Sequence, residues 1–210
     1  MKKVLKNIFL AIAFLLVFPF GMFAKITHIL FNTTQFFDFF SQLFALIPGV
    51  PGTLMRACFY KQTLKKCSID IFVSFCSVIS KIDSEIGKGV KIGGHTQIGR
   101  VKVGDNCGIA NFVSILSGRY QHNFTDPNQE IFNKVDDSFV YISIGENSFI
   151  GDNSTIMADI GDCSIIGAAS NVLKPIPPYV VAVGNPCKVI KQRTIQETRK
   201  EKPVSKEANS

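Results

Sequence analysis

No Cys-x-x-Cys pair occurs in this chain, although it contains six cysteines. Cysteines paired at that spacing are typical of structural zinc sites and redox motifs, so their absence argues against both. We interpret the scattered cysteines as reduced thiols rather than disulfides. Cys107 and Cys163 coincide with inward positions of the repeat described below, where a thiol acts as a small hydrophobic side chain.

The chain also lacks a nucleic-acid-binding motif, although its formal net charge is +7. Its basic residues do not alternate with aromatic residues along one stripe, as they do on many nucleic-acid-binding surfaces. They cluster beside the apolar N-terminal region and in the tail after Lys188. The first cluster suits the anionic headgroups of a membrane, so we expect no nucleic-acid partner.

Charged residues are nearly absent from two segments of the first 50 residues. The run from Ile8 to Ala24 carries no charge, and the run from Phe36 to Ile47 carries only Asp38. A signal peptide, a spanning helix and a hairpin that enters one leaflet are the three interpretations. Met22-Phe23-Ala24 lacks the small residues usual at a cleavage site, and the second run is too short to span.

A proline inside the first apolar run and basic residues on both sides of the region favour the hairpin. Pro19 stands inside the first run, where its missing N–H and its ring would bend a helix. Basic residues lie on both sides of the region, at Lys2, Lys3, Lys6, Arg56, Lys61, Lys65 and Lys66. Because basic flanks prefer the cytoplasm, residues 1–50 are predicted to be a helical segment held at the cytoplasmic face of the inner membrane.

An aliphatic residue followed by glycine recurs at a period of six in the second half of the chain, at Ile86-Gly87, Ile92-Gly93, Ile98-Gly99, Val103-Gly104, Ile144-Gly145, Ile150-Gly151, Ile160-Gly161 and Ile166-Gly167. This is the period of neither an amphipathic helix nor a half-buried strand. It fits a short strand plus a turn, so that three units complete one triangular coil of a parallel β-helix. We predict an all-β domain over 75–184, a connecting helix or linker over 51–74, and a C-terminal segment over 185–210 that is helical and then disordered.

The period disappears between Ile115 and Ile144 and then resumes in step, which indicates an insert at a corner of the coil. The insert, residues 117–141, is polar and contains His122, one of only three histidines. A polar loop on a rigid scaffold is the expected place for chemistry. The alternative for His122 is a solvated loop histidine without a catalytic role.

Three features together resemble the hexapeptide-repeat acyltransferases, which include galactoside, maltose and xenobiotic acetyltransferases and acetyltransferases of polysaccharide biosynthesis. They are the repeats, the long loop with its histidine, and the closing segment Gly184-Asn185-Pro186-Cys187-Lys188, in which Cys187 replaces the usual alanine. The resemblance covers residues 75–191. It implies a left-handed parallel β-helix that forms a homotrimer, with the active site between neighbouring subunits.

The resemblance also implies acetyl transfer from acetyl-CoA to a hydroxyl or an amine, without a metal. His122 would be the general base that removes a proton from the acceptor, since imidazole titrates near neutral pH. Asp126 or Glu130 could orient the imidazole. Asn111 and His95 are candidate acceptor-binding residues; the alternatives are a turn cap for Asn111 and an ordinary surface position for His95.

The resemblance places the acyl donor along the last coils. Gly167, Ala168 and Ala169 form an edge of small residues, whose backbone N–H groups could meet the pantetheine arm. Lys174 and Lys188 are candidates for binding the nucleotide phosphates as point charges. Each lysine could equally be an ordinary surface residue.

The apolar front favours a sugar acceptor that is carried on a lipid or destined for an exported polysaccharide. Two alternatives are an acyltransferase that takes a longer chain from an acyl carrier protein, and a β-helix scaffold without activity. The γ-class carbonic anhydrases share the fold but need three zinc-binding histidines per site. His28 lies in the apolar front, so only two histidines are left for such a site and we reject it.

Overall fold

The computed structural model describes residues 2–117 and 140–193, with side chains described from residue 8 onward. Three helices come first: α1 (Lys2–Phe31), α2 (Gln35–Ala45) and α3 (Gly49–Thr63). The strands that follow are β1 (Lys66–Cys67), β2 (Phe72–Val73), β3 (Val78–Ile79), β4 (Glu85–Ile86), β5 (Lys91–Ile92), β6 (Gln97–Ile98), β7 (Val101–Val103), β8 (Gly108–Ile109), β9 (Ser114–Ile115), β10 (Ile142–Ile144), β11 (Phe149–Ile150), β12 (Thr155–Ile156), β13 (Ile165–Ile166), β14 (Asn171–Val172), β15 (Val180–Val183) and β16 (Lys188–Gln192).

Successive strands belong to successive sheets, which is the topology of a three-sided β-helix. The first sheet has the order β1-β4-β7-β10, the second β2-β5-β8-β11-β13-β15-β16, and the third β3-β6-β9-β12-β14. Pairing is parallel except between β15 and β16. Coil 1 comprises β1–β3, coil 2 β4–β6, coil 3 β7–β9 and coil 4 β10–β12; coil 5 comprises Ile160, β13 and β14. The predicted left-handed parallel β-helix is confirmed.

The aliphatic residues of the repeat stack in columns inside the β-helix. In the first sheet Ile86, Val103, Ile144 and Ile160 pair in order from coil to coil, and each is at most 5% exposed. Glycine follows because adjacent coils nearly touch at the corner. A Cβ at Gly145 would lie 2.3 Å from the backbone nitrogen of Asp162, closer than atoms can pack.

The β-helix begins at Lys66, ahead of the predicted boundary at residue 75. Cys67, Val73 and Ile79 are the buried inward residues of coil 1. They are followed by Ser68, Ser74 and Ser80 instead of glycine. The aliphatic–glycine pattern could not reveal this coil, because serine stands where the other coils have glycine.

Two other expectations differ from the structure. Lys188–Gln192 forms strand β16, where the sequence predicts the start of a helix, because the free edge of β15 offers backbone partners; residues after 193 lie outside the described chain. Cys107 is buried, but Cys163 lies at a corner with φ +55° and Ser164 takes the inward position.

Arg56 of α3 ties the helices to the β-helix and is only 1% exposed. Its Nε donates to the carbonyl of Val73 in coil 1 at 2.9 Å. Its Nη1 donates to the carbonyls of Phe44 and Ile47, each at 2.8 Å. These carbonyls lie at the end of α2, where the last turn lacks helical partners. One guanidinium therefore joins α2, α3 and the first coil.

Tyr60 makes a second buried connection between the same elements. Its hydroxyl lies 2.7 Å from the hydroxyl of Ser41 on α2 and accepts the backbone N–H of Ile79 in coil 1 at 3.0 Å. Burial raises the pKa of this phenol, which keeps it protonated. The helices and coil 1 consequently share one core.

We expect Tyr60→Phe to lower the free energy of unfolding by about 1–3 kcal/mol, because it leaves the buried Ile79 N–H and Ser41 hydroxyl without their partner. Chemical denaturation in mild detergent, followed by circular dichroism, measures the change. Tyr179→Phe is the matched control, since Tyr179 is 50% exposed. Equal losses in the two variants would contradict the shared core.

Candidate functional site

The second corner of the β-helix, between the second and third sheets, contains five of the ten predicted site residues. His95 lies there in coil 2, Asn111 in coil 3, and Gly167, Ala168 and Ala169 in coil 5. Backbone strands one coil apart are separated by about 4.8 Å. His95, Asn111 and the segment Gly167–Ala169 therefore lie in one row along this corner, parallel to the axis of the β-helix.

His95 is part of an exposed aromatic cluster. Its ring stacks on Phe112 at 5.0 Å between centroids with an angle of 6°, and Phe75 meets it edge-on at 6.0 Å. Both His95 and Phe112 have positive φ, +57° and +56°, at equivalent corner positions of neighbouring coils. Phe112 is 55% exposed, so this cluster lies at the surface of the β-helix.

Asn111 caps the turns of the coils below and above it. Its Oδ1 accepts the N–H of Gly94 at 2.7 Å, and its Nδ2 donates to Oδ1 of Asp152 at 3.0 Å. The same Asp152 oxygen accepts the backbone N–H of Asn111 at 2.9 Å. Of the two roles open to Asn111, the structure shows the turn cap.

Two backbone N–H groups of the segment Gly167-Ala168-Ala169, which the sequence assigns to the pantetheine arm, already have partners in the coil. The N–H of Gly167 donates to the carbonyl of Ala182, and the N–H of Ala169 donates to the carbonyl of Asp152. Those two groups are therefore committed to the coil and are not available to a pantetheine arm. The segment still fits a narrow ligand, because Ala168 and Ala169 are exposed and have the smallest side chains.

The remaining candidates lie elsewhere. Lys174 is exposed at the third corner, between the third sheet and the next coil, whereas Lys188 is exposed on β16 at the edge of the second sheet. His122, Asp126 and Glu130 lie outside the described residues. The structure shows only the base of their insert.

The insert leaves and rejoins the β-helix at the third corner of coil 3. The carbonyl of Ser117 accepts the N–H of Val140 at 3.1 Å, which closes the base. The hydroxyl of Tyr141 donates to the carbonyl of Asp83 at 3.2 Å, and its ring lies 4.7 Å from the guanidinium carbon of Arg100. The two ends of the insert are thus fixed to coils 2 and 3.

The second and third corners of one coil are separated by the width of the third sheet. From Phe112 to Leu116 the extended chain covers about 13 Å, at about 3.3 Å per residue. The row of His95 and Asn111 and the base of the insert therefore lie at opposite edges of one sheet.

No metal site accompanies these residues in the part of the chain that is described: no group of three His, Cys, Asp or Glu side chains is placed to hold an ion. A groove of 790 Å³ on the first sheet, lined by Lys61, Lys66, Lys88 and Lys102, contains none of the predicted site residues. Beside it Lys65 pairs with Glu85 at 2.8 Å and lowers the pKa of that carboxyl. The predicted site lies on corners rather than in this groove.

Sequence reasoning missed Phe75, Phe112 and Asp152. The signal for Asp152 was available, since it follows Gly151 at the register that Asn111 occupies after Ala110. Nothing in the sequence indicated that the rings of the two phenylalanines would meet His95, and Phe75 lies in coil 1, which the period does not reveal.

Part of this chain is similar in sequence to known and putative acetyltransferases. A galactoside O-acetyltransferase of Escherichia coli is 43% identical over 95 residues, which are 44% of this chain and 44% of that protein. A putative acetyltransferase of Staphylococcus aureus is 47% identical over 53 residues, which are 24% of this chain and 27% of that protein. The alignments therefore span less than half of these relatives' own length. No protein-family model matches the sequence.

Among solved structures, a maltose O-acetyltransferase from Clostridium difficile superposes with a TM-score of 0.62 at 25% identity, covering 75% of this chain and 85% of that one. A hexapeptide-repeat acetyltransferase from Vibrio cholerae has a TM-score of 0.53 at 16% identity, covering 75% of this chain and 89% of that one, and shows the fold alone. This chain is similar to the hexapeptide-repeat acetyltransferases.

We expect Asn111→Ala to lower the free energy of unfolding by about 1 kcal/mol, because it removes the cap on the Gly94 N–H and one contact to Asp152. Thermal unfolding measures the change. Gln97→Ala is the control, since Gln97 is an exposed residue on the neighbouring coil. An unchanged midpoint for Asn111→Ala would contradict the capping role.

Proposed function

We propose that this chain transfers an acetyl group from acetyl-CoA to a hydroxyl of a sugar. The observation that carries the proposal is the base of the insert, where Ser117 and Val140 close the loop that contains His122 onto a rigid coil. The 43% identity to a galactoside O-acetyltransferase and the superposition on a maltose O-acetyltransferase support the same chemistry.

In the proposed reaction His122 is the general base. It removes the proton of the acceptor hydroxyl while that oxygen attacks the carbonyl carbon of the thioester. The carbon–sulfur bond then breaks, and the sulfur leaves with the proton that His122 returns. Positioned proton transfer of this kind contributes about 10²- to 10⁴-fold to a rate. Asp126 or Glu130 is proposed to orient the imidazole.

The donor is proposed to lie along the last coils and the acceptor along the second corner. Acetyl-CoA supplies the activated acyl group as a thioester. The exposed edge at Ala168 and Ala169 accommodates its narrow arm, and Lys174 and Lys188 attract its phosphates. On the acceptor side, the exposed cluster of His95 and Phe112 is proposed to contact the sugar, with Asn111 beside it.

A homotrimer would bring the separated parts of the site together. The second corner and the base of the insert lie about 13 Å apart across one sheet, so the two can meet across a boundary between copies. We place this assembly at the cytoplasmic face of the inner membrane, where acetyl-CoA and a lipid-linked sugar or polysaccharide precursor are both accessible.

His122→Ala is expected to lower kcat by about 10²- to 10⁴-fold, because the acceptor loses its base. Thiol release from acetyl-CoA in the presence of a methyl galactoside, maltose or a lipid-linked sugar measures it. His95→Ala is the comparison and should raise the KM for the acceptor instead. Equal turnover by the native protein and His122→Ala would contradict the general-base role. Transfer only from an acyl carrier protein, or no transfer from any donor, would favour the longer-chain enzyme or the scaffold.

Lys188→Glu is expected to raise the KM for acetyl-CoA several-fold with little change in kcat, because it replaces a favourable charge near the phosphates with an unfavourable one. Initial rates at varied acetyl-CoA concentration measure this. Lys91→Glu makes the same charge change on coil 2, far from the last coils. An equal rise of KM in both variants would indicate a nonspecific effect of net charge rather than a donor site.

A further inference from the structure

Helix α1 has one buried stripe and an otherwise apolar outer surface. Ala13, Val17, Ala24 and Thr27 are buried at helical spacing against α2 and α3. The segment Ile8–Phe31 has a mean hydropathy of 2.2 and is long enough to cross a membrane, yet only 22% of its most apolar window is buried in the protein. The large exposed residues are Ile8, Phe9, Ile12, Phe14, Leu15, Leu16, Phe18, Phe20, Met22, Phe23, Ile26, Ile29, Leu30 and Phe31.

Helix α2 continues this surface with Phe36, Phe39 and Leu43, all exposed. We call the exposed residues of α1 and α2 together the apolar face. Water-soluble monomers rarely expose so large a continuous apolar area, so this face is expected to be covered by a partner.

The position of coil 1 excludes a helix that crosses the bilayer. The ring of Phe20, at the middle of α1, contacts the rings of Phe40 and Phe44 at 5.2 and 5.9 Å. The next residue of α2, Ala45, accepts the N–H of Cys76 in coil 1 at 2.9 Å. Coil 1 is therefore fixed near the level of the middle of α1. If α1 crossed along the membrane normal, that coil would enter the hydrocarbon with its polar backbone corners.

The tip between α1 and α2 argues against a hairpin that enters the membrane tip-first. It contains Asn32, Thr33 and Thr34, and Asp38 follows, whose carboxylate accepts the hydroxyl of Thr34 at 3.2 Å. Lys25 lies seven residues before Asn32, and its ammonium donates to the carbonyl of Gln62 at 3.3 Å. A tip-first arrangement would place these groups deepest, where polar and charged side chains are most costly.

A flat arrangement places each group in a suitable environment. The apolar face then lies among the upper acyl chains, and the polar tip remains at the level of the headgroups. Lys25, Lys61 and Lys66 are exposed where α1 meets the end of α3 and the start of coil 1. Their charges complement the phosphates of an anionic lipid surface.

We propose that α1 and α2 lie flat in one leaflet of a phospholipid bilayer, with coil 1 as the nearest coil to the headgroups. The occupant of the apolar face is lipid, and the protein neither spans the membrane nor enters it tip-first. This inference rests on the helical packing and is independent of the proposed acetyl transfer.

Tryptophan fluorescence tests the proposal directly, because the chain contains no tryptophan. Leu15→Trp, Leu30→Trp and Phe39→Trp each introduce one probe at an exposed position of the apolar face. The full chain is reconstituted in vesicles of phosphatidylcholine and phosphatidylglycerol whose acyl chains carry bromine at a shallow or a deep position. Phe149→Trp, at a position 46% exposed on coil 4, is the matched control.

We expect the three probes to be quenched to a similar extent, more by shallow than by deep bromine, and the control not to be quenched. Deep quenching that is strongest for Leu30→Trp would show tip-first entry and overturn the proposal. Deep quenching of Leu15→Trp together with shallow quenching of Leu30→Trp would show a spanning helix and also overturn it. Absence of quenching at all three positions, with native circular dichroism, would show that another protein surface covers the face.

Discussion

The close stacking of coils is the constraint on which the rest of the structure depends. Each inward residue packs on its equivalent in the next coil, as Ile86, Val103, Ile144 and Ile160 do in the first sheet. At the corner the backbones nearly touch, and a Cβ at Gly145 would meet Asp162 at 2.3 Å. The aliphatic residue supplies the buried area and the glycine permits the approach. Because every coil must satisfy both conditions, the strands leave little room for variation, and functional differences are confined to the corners.

The same hydrogen bond, from a backbone N–H of one coil to a side-chain oxygen of the next, recurs at several corners and links neighbouring coils. Oδ1 of Asp105 accepts the N–H of Lys88 at 2.7 Å, and Oδ1 of Asp162 accepts the N–H of Glu146 at 2.9 Å. Asn111 does the same for Gly94. An aspartate or asparagine after the small corner residue therefore pairs a backbone donor that would otherwise lack a partner. This explains why Asn111 is held rigidly, and why the ring of His95, one coil below, stands at a fixed place beside it.

Period and spacing predicted the β-helix because one aliphatic residue in each strand of coils 2 to 5 points inward and recurs at a fixed spacing. These patterns failed where a different residue type satisfies the same packing requirement. Serine serves in coil 1 in place of glycine, so the aliphatic–glycine pattern does not extend to that coil. The sequence placed Gly167 at a turn of the coil, because the glycine of the repeat follows the aliphatic residue where the backbone turns. It could not reveal that the Gly167 and Ala169 N–H groups are already bonded, nor that Phe112 stacks on His95, since these depend on contacts between coils.

The buried hydrogen bonds of Arg56 and Tyr60 fix the orientation of the β-helix, and of the candidate site on it, relative to the three helices. Because α2 and α3 share a core with coil 1, the helices cannot tilt independently of the β-helix. In the flat arrangement, coils 2 and 3, with His95, Asn111 and the base of the insert, lie within about 15 Å of the headgroups, at about 4.8 Å per coil. The last coils, with Ala168 and Lys188, point away into water. An acceptor carried on a lipid would therefore reach the site from the membrane end, while a soluble thioester would approach from the opposite end. The two substrates need not pass each other, which would give a physical reason for the proposed attachment of the β-helix to a membrane by its first coil.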